Sequence, residues 1–335
     1  MNKTLTICIP TYNRKEVLIN EVKDYLSVND DRFIVKVSDN CSTDGTQDAL
    51  KEINDNRLIV NYNSGNLGSI PNWIKALSNN MSDYLFFILD KDIIDTSKLV
   101  GFLDFLDCEK PFFGYVDLDV SKPENIEYFD AGYPNIFKMA YLDKHPSGYF
   151  YKREIFEEAI TKDSFLMLDN KFDFPFEVIN AEIALKYPSV IVKGGLVTIA
   201  NRRTDVKEGK TLSYDESNIW YGKQKRIIEY SYYFTSAIKL NLSQKQLETL
   251  VCKLTESAVK NVTVVLRATM KNEVACSHYN VKKRDVSFFE MTKNALYVIK
   301  VFNKKAIPRM TFYARGKIVI KVMTKSILRI IKALL

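Results

Sequence analysis

The sequence predicts an α/β fold with a mostly parallel central sheet, followed by a mainly α-helical C-terminal region. Three observations carry this. Over the first hundred residues, short apolar runs alternate with segments of helical period, as in β-α-β units whose sheet is covered on both faces. From about residue 213 onward the period is helical throughout. Charge divides at nearly the same place: residues 1–206 hold 23 Lys+Arg against 32 Asp+Glu (net −9), and residues 207–335 hold 25 against 9 (net +16). A split of that size predicts two modules, 1–206 and 207–335, that meet different partners.

The elements follow in order. Leu5–Ile9 is an apolar strand closed by Pro10, and Glu16–Ser27 has helical spacing. Phe33–Val37 is a second strand, followed by turn-rich Asp39–Gly45 and a helix over Thr46–Ile53. Leu58–Tyr62 is a third strand, then come an Asn/Gly turn at 63–68 and a helix over Asn72–Leu77. Tyr84–Leu89 is fully apolar and ends at Asp90-Lys91-Asp92. The middle of the chain is less regular, with strands expected at Phe112–Leu118, Val190–Val192 and Leu196–Ile199. Helices are expected near Asp215–Leu240, Ser243–Lys271, Ser287–Phe302 and Arg309–Leu335.

Composition excludes several classes. With 46% hydrophobic and 27% charged residues the chain is an ordinary globular one. No leader or uncharged bilayer-length run is evident, so a cytoplasmic protein, at most lying on the inner face of the cell membrane, is expected. The five cysteines are scattered, and with two histidines a zinc site is not expected. No nucleic-acid-binding module is recognisable.

In parallel sheets, ligands collect at the carboxyl ends of the strands, and each polar cluster here sits at such an end. Pro10–Arg14 follows the first strand. Asp39 follows the second, where a carboxylate can accept the imide N–H of a uracil or thymine ring. Thr43 or Asp44 beside it can equally serve as a helix cap. Asn66 and Gly68 form the third cluster, with Gly68 allowing close backbone approach. Asp90 and Asp92 are the fourth, and strand alternation would let them flank one point in a cleft. Two adjacent acids are costly without a cation, and a hard divalent ion that also binds phosphate oxygens suits them.

The ordered motifs P-T-Y-N-R, V-S-D-N-C-S-T-D-G-T, N-L-G-x-x-x-N-W-x-x-A-L and F-F-I-L-D-K-D over residues 4–100 resemble the family-2 glycosyltransferases of GT-A fold. A weaker likeness lies at Pro146–Arg153, similar to the family's glycine-containing acceptor-side strand. The resemblance implies an inverting, metal-dependent sugar transfer from a UDP- or dTDP-sugar to a glycan, free or lipid-linked. It implies a nucleotide-binding half, 1–106, and an acceptor half, 107–206. Thr11, Tyr12 and Asp39 would hold base and ribose, Asn66 and Gly68 would lie near the nucleotide, and Asp90 would complete its binding. Asp92 would coordinate Mn²⁺ or Mg²⁺ through the diphosphate, while Ile93 replaces a third acid often found in the motif. The general base falls in the window holding Asp169, Asp173 and Glu177, and Asp173 and Glu177 are favoured because the surrounding aromatics and Pro175 predict a shaped loop. His145 is a candidate contact to acceptor or diphosphate, and Arg202-Arg203 a candidate phosphate clamp. Two rivals are a nucleotidyltransferase, which would want a Gly-rich basic loop where Pro10–Arg14 stands, and a non-catalytic sugar-nucleotide-binding subunit, against which Asp39, Asp90 and Asp92 count.

The last segment has its own pattern. Residues 304–335 carry nine basic residues and no acid, and Lys317, Lys321, Lys325, Arg329 and Lys332 recur at helical spacing beside apolar residues. Such a helix over 309–335 suits the surface of an anionic membrane, or equally the protein core or a second copy in a homo-oligomer.

Overall fold

The computed structural model describes residues 3–119, 121–161, 172, 174–199, 223–278, 281–306 and 310–334. It divides into two compact units, Met1–Asn201 and Arg202–Leu335.

In the first unit, β1 (Leu5–Thr11), β2 (Phe33–Asp39), β3 (Leu58–Tyr62) and β4 (Tyr84–Phe87) run parallel in the order β3-β2-β1-β4. The sheet continues through β8 (Tyr149–Lys152), β6 (Phe113–Val116), β9 (Ser189–Lys193) and β7 (Asn125–Phe129). Only β8 and β7 oppose their neighbours. A two-stranded ribbon pairs β5 (Ile93–Ile94) with β10 (Val197–Thr198). All seven residues of β1 are buried, whereas β3, at the edge, alternates between half-buried and exposed. That contrast is what a sheet covered on both faces demands of central and edge strands.

The helices are α1 (Lys15–Leu26), α2 (Thr46–Lys51), α3 (Ser69–Leu77), α4 (Thr96–Glu109), α5 (Tyr133–Met139), α6 (Arg153–Ile160) and α7 (Pro175–Lys186). Two expectations are corrected. The apolar run Tyr84–Leu89 leaves the sheet at Phe87, so Asp90 and Asp92 stand in a turn and owe their placement to it, not to strand alternation. The segment around Glu177, read as a shaped loop, is helical from Pro175 onward. Nine of the twelve α7 residues are buried, and a helix covered all round shows no amphipathic stripe in its sequence.

The described residues of the second unit form helices: α8 (Lys223–Lys239), α9 (Gln244–Lys260), α10 (Leu266–Lys271), α11 (Glu273–His278), α12 (Phe288–Ala306) and α13 (Phe312–Leu334). Ser243 and Gln246 form a reciprocal capping box at the start of α9. A π-turn over Asn261–Val265 joins α9 to α10, so the expected helix Ser243–Lys271 is one rod with a wide turn in it. The buried Asn294 amide donates to the Val262 carbonyl oxygen at 3.1 Å, satisfying a group the irregular turn presents. Helix α13 buries one seam, Ala314, Ile318, Val322, Ser326 and Ile330. Among the described residues no helix is long and apolar enough to cross a membrane.

Gly114 in β6 is closely packed between its neighbouring strands. A Cβ there would lie 2.3 Å from the Phe150 ring and 2.7 Å from the Val190 carbonyl oxygen. Backbone cannot yield as a flexible side chain would, so Gly114→Ala is expected to cost about 1–3 kcal/mol by overpacking. Chemical denaturation followed by tryptophan fluorescence checks this, and an unchanged midpoint contradicts it.

Candidate active site

The carboxyl ends of β1, β2 and β4 meet at one edge. Thr11 and Asp39 are register partners, and the Asn40 N–H donates to the Thr11 carbonyl at 2.9 Å. The Thr11 hydroxyl reaches across to Asp90, donating to Oδ2 at 2.8 Å. Thr11, Asp39 and Asp90, singled out separately in the sequence, are therefore neighbours. Tyr12 beside them is exposed.

Asp39 is fully buried. Its Oδ2 accepts from the Ser42 N–H at 3.1 Å and the Gln47 amide at 2.7 Å. Its Oδ1 has no hydrogen-bond partner among the described residues. A buried carboxylate oxygen without a donor is costly, and an arriving N–H would relieve that cost. Asp44 has a different task. It accepts from the Thr46 N–H and the Lys15 N–H, both at 3.1 Å, tying the first turns of α2 and α1 together where negative charge is favoured.

The third cluster is a network of amides. Asn40 donates to Asn66 Oδ1 at 2.9 Å and to the Gly68 carbonyl at 3.1 Å, and accepts from the Leu67 N–H at 2.9 Å. Asn72 accepts from Ser38 at 2.8 Å and from Asn63 at 2.9 Å. Asn66 thus shapes its loop, and Gly68, at φ +87°, occupies backbone space that other residues rarely adopt.

The acid turn is the most constrained part. Asp92 is 1% exposed. His145 Nε2 lies 2.6 Å from Asp92 Oδ2, and the Ser147 hydroxyl donates to the same oxygen. Ser147 also accepts the Leu89 N–H at 3.0 Å. Behind the turn, the buried Tyr25 hydroxyl accepts from the Ile94 N–H at 3.1 Å and sits 3.4 Å from the Asp92 carbonyl. Burial opposes ionisation of Asp92, but the His145 hydrogen bond and charge, with Ser147, hold its carboxyl below the ordinary range. Asp90 goes the other way. Desolvation raises its carboxyl despite Arg14 and the Thr11 hydroxyl. Two acids one residue apart are thereby pushed in opposite directions.

Glu177 proves to be an anchor. It is 1% exposed. Its Oε2 accepts the Leu142 N–H at 2.7 Å, and its Oε1 accepts the Lys144 N–H at 2.8 Å and the Tyr149 hydroxyl at 3.2 Å. Asp169 and Asp173, and the pair Arg202-Arg203, lie outside the described residues. Ser147, Gln47 and Tyr25 were not singled out from the sequence. A serine two residues before a strand, a helix glutamine and a core tyrosine carry no local signal of what they touch.

The residues present fit a divalent ion that arrives with phosphates. Among the described residues no three His, Cys, Asp or Glu side chains converge as a metal cage. Asp92, kept ionised and held in place, offers a single anionic oxygen donor group, and Mg²⁺-type sites commonly use one or two carboxylates plus substrate phosphates.

A mostly parallel sheet with acidic residues at its carboxyl ends, continued by an antiparallel strand between two parallel ones, is the arrangement of a GT-A fold. Residues 6–158 match the family model described as Glycosyl transferase family 2, and over that stretch the chain is similar to that family. Abequosyltransferase RfbV of Salmonella typhimurium is 32% identical over 115 residues, covering 32% of this chain and 34% of that protein. The putative teichuronic acid biosynthesis glycosyltransferase TuaG of Bacillus subtilis is 28% identical over 141 residues, 38% of this chain and 56% of its own. WfaP of Escherichia coli, a UDP-Glc:alpha-D-GlcNAc-diphosphoundecaprenol beta-1,3-glucosyltransferase, is 29% identical over 118 residues, 35% of this chain and 47% of its own. The matches thus span from a third to just over half of these relatives' length. In fold, residues 1–349 of S. aureus TarS in complex with UDP-GlcNAc superpose with a TM-score of 0.60 at 13% identity, over 94% of this chain and 88% of that one. The mannosyltransferase PcManGT from Pyrobaculum calidifontis, in complex with GDP-Man and Mn²⁺, gives 0.50 at 13% identity, over 98% and 88%.

Burial, with Asp143, pushes the Glu177 carboxyl up to about 7 against its two N–H donors. A carboxyl raised above its unfolded value favours the fold most below that unfolded value, near 4.5, and loses this contribution as pH climbs through the raised pKa. The stability of the wild type should therefore fall between pH 4.5 and 7 more steeply than that of Glu177→Gln. Thermal unfolding of both proteins across that range measures the difference, and parallel curves would refute the assignment.

Proposed function

We propose that the chain transfers a sugar from a UDP- or dTDP-sugar to a hydroxyl of a growing, lipid-linked surface glycan, with inversion and with Mn²⁺ or Mg²⁺ at Asp92. The observation that carries the reading is the unpartnered Oδ1 of Asp39 at the carboxyl edge of the sheet. A uracil or thymine ring supplies the missing donor through its imide N–H. Thr11 and Asp90 stand next to it, joined by their own hydrogen bond, where the ribose would follow the base. Gly68 and the amide network give the loop at 63–68 a fixed shape against the nucleotide. The nucleotide complexes of the TarS and PcManGT folds support a nucleotide-sugar donor, and the WfaP name supports a lipid-diphosphate acceptor.

The division of labour follows from the charges. Asp92 would hold the ion, with His145 and Ser147 fixing its carboxylate. A divalent ion there supplies Lewis acidity for the departing diphosphate. Inversion at the anomeric carbon requires the acceptor hydroxyl to attack opposite the leaving group while a carboxylate takes its proton. With both Glu177 oxygens engaged by backbone N–H groups, that role passes to Asp173, and Glu177 keeps the segment 142–148 in place. A screen of nucleotide sugars for donor hydrolysis with Mn²⁺ present tests the whole reading, and no hydrolysis of any pyrimidine-diphosphate sugar would defeat it.

Two variants dissect it. Asp39→Asn replaces the base acceptor by a donor and should weaken UDP binding about 10–100-fold, the worth of one hydrogen bond to a charged group. Asp173→Asn should leave UDP binding intact and lower turnover by roughly 10²–10⁴-fold. Calorimetry and steady-state rates separate the two, and normal turnover of Asp173→Asn would send the base elsewhere, with Asp169 next.

We further propose that the second unit contacts an anionic membrane through α13. With its inner seam packed, the helix leaves Phe312, Tyr313, Ile320, Leu328 and Ile331 exposed beside Lys317, Arg329 and Lys332. Lys325 is engaged by Glu256 at 2.9 Å, and Lys321 lies 4.0 Å from the same carboxylate. Each basic residue near an anionic surface is worth about 1 kcal/mol. Reversing Lys317, Arg329 and Lys332 to Glu should therefore abolish co-sedimentation with phosphatidylserine vesicles while sparing donor hydrolysis. Unchanged co-sedimentation, or a changed oligomeric mass instead, would favour the core or subunit role.

A further inference from the structure

We propose that His145 is a second protein ligand beside Asp92 for the divalent ion, and that its imidazole biases the site toward Mn²⁺ over Mg²⁺. The inference rests on reading this edge of the sheet as the seat of a nucleoside diphosphate and its ion.

The position of His145 is built by the chain around it. It lies in the segment between α5 and β8, where Tyr141, Asp143 and Gly148 all have positive φ (58°, 54° and 102°). Two non-glycine residues in that region are a cost the fold sustains only where surrounding contacts over-determine the backbone. Those contacts are present. Glu177 takes the N–H groups of Leu142 and Lys144, the Tyr115 hydroxyl donates to the His145 carbonyl at 3.3 Å, and the Gly148 N–H donates to the Phe87 carbonyl at 3.0 Å. Pro146 restricts the backbone of His145 from the other side. Several elements thus cooperate to bring one imidazole nitrogen to one carboxylate oxygen.

The pair has the properties of two ligands awaiting an ion. The donor atoms are 2.6 Å apart. Metal–ligand distances of about 2.0–2.2 Å place neighbouring ligand atoms about 3 Å apart, so an ion needs only a small opening of the pair. The Asp92 side chain is fully enclosed, whereas 18% of the His145 side chain is open to solvent. Ser147 orients the carboxylate and is itself oriented by the Leu89 N–H, the outer-shell support that metal ligands characteristically have. Oxygen donors serve Mg²⁺ and Mn²⁺ alike, but imidazole suits first-row transition metals and adds little for Mg²⁺.

The test uses the full chain saturated with UDP. Mn²⁺ binding is measured by the paramagnetic signal of the free ion and Mg²⁺ binding by calorimetry, for wild type, His145→Ala and His145→Gln. Mn²⁺ affinity should fall about 10–100-fold in both variants, with Mg²⁺ affinity nearly unchanged, so the preference collapses. If His145 only steadies Asp92, both ions weaken together and the preference survives, which overturns the proposal. Electron spin-echo spectroscopy of the Mn²⁺–UDP complex of the wild type gives an answer that needs no variant: modulation from a directly bound imidazole nitrogen is expected, and its absence overturns the proposal. Wild-type protein that binds no UDP would overturn the underlying reading of the site, and this inference with it.

Discussion

Three carboxylates, Asp39, Asp90 and Asp92, are brought to the same edge of a hydrophobic sheet, and the structure around that edge is organised to keep them there. The parallel register of β1 with β2 sets Asp39 beside Thr11, and the turn that follows β4 carries Asp90 back to Thr11. Like charges in a poorly hydrated place raise one another's cost, and each acid is managed differently. Asp39 is held by N–H donors from its own turn and from Gln47. Asp90 takes the Thr11 hydroxyl and the field of Arg14, and still has its carboxyl raised by desolvation. Asp92 is given an imidazole and a serine. The outcome is a graded set: one acceptor with an oxygen to spare, one carboxylate whose proton comes off late, and one that is firmly anionic. A ligand carrying an N–H at one end and a diphosphate with its cation farther along complements that gradient.

The part of the first unit beyond α4 delivers two side chains to the acid turn from a distance in sequence. His145 and Ser147 stand more than fifty residues beyond Asp92, and the short strand β8 that follows them is slotted antiparallel between β4 and β6. Gly148 permits that entry: at φ 102° its own Cβ would fall 2.9 Å from the Val116 carbonyl oxygen. On the far side, Glu177 works as an internal staple from the first turn of α7, exchanging solvent for two backbone N–H groups. Lys144, whose amine burial pulls down to about 8, has its ammonium 4.3 Å from the centre of the Tyr115 ring. Buried charge here stabilises a particular loop course and not the fold in general, because removing one partner would strand the other.

How much of this was legible in the sequence depends on the range of the signal. β1 to β4 and the helices between them were readable to within two or three residues at each end, since a run or a stripe has a period that survives in one dimension. The edge positions Thr11 and Asp39 were readable because strand ends in a parallel sheet are neighbours by construction. Neither Ser147 nor Tyr25 could be found in that way. Their partners, Asp92 and the backbone at Ile94, lie 55 and 69 residues away, and nothing local distinguishes them from other serines or core tyrosines. Glu177 shows the opposite error: its aromatic surroundings resembled a functional loop because a helix buried on all sides has the same composition. Helices α5 to α7 escaped notice for related reasons, being short or largely covered, and α4 was missed although Leu99, Phe102, Leu103 and Leu106 recur at helical spacing.

In the second unit, an apolar, basic helix packs one seam into a core and leaves a mixed apolar and basic face exposed. The seam from Ala314 to Ile330 closes on α9 and α12, with Ile330 joining Leu266, Met270, Val286 and Met291 in one cluster. That contact satisfies the helix as a structural element, and a helix needing only that would carry polar residues on its remaining surface. Instead that surface holds Phe312, Tyr313, Ile320 and Leu328, each at least 63% exposed. Glu256 draws Lys321 and Lys325 to one flank, which leaves the remaining cations interspersed with these apolar side chains and not segregated from them. Water is a poor solvent for such a face and an anionic lipid surface a good one, since it accepts apolar groups and positive charge in the same few ångströms. If α13 binds such a surface as proposed, salt weakens only the charged share of that attachment, and the apolar share persists.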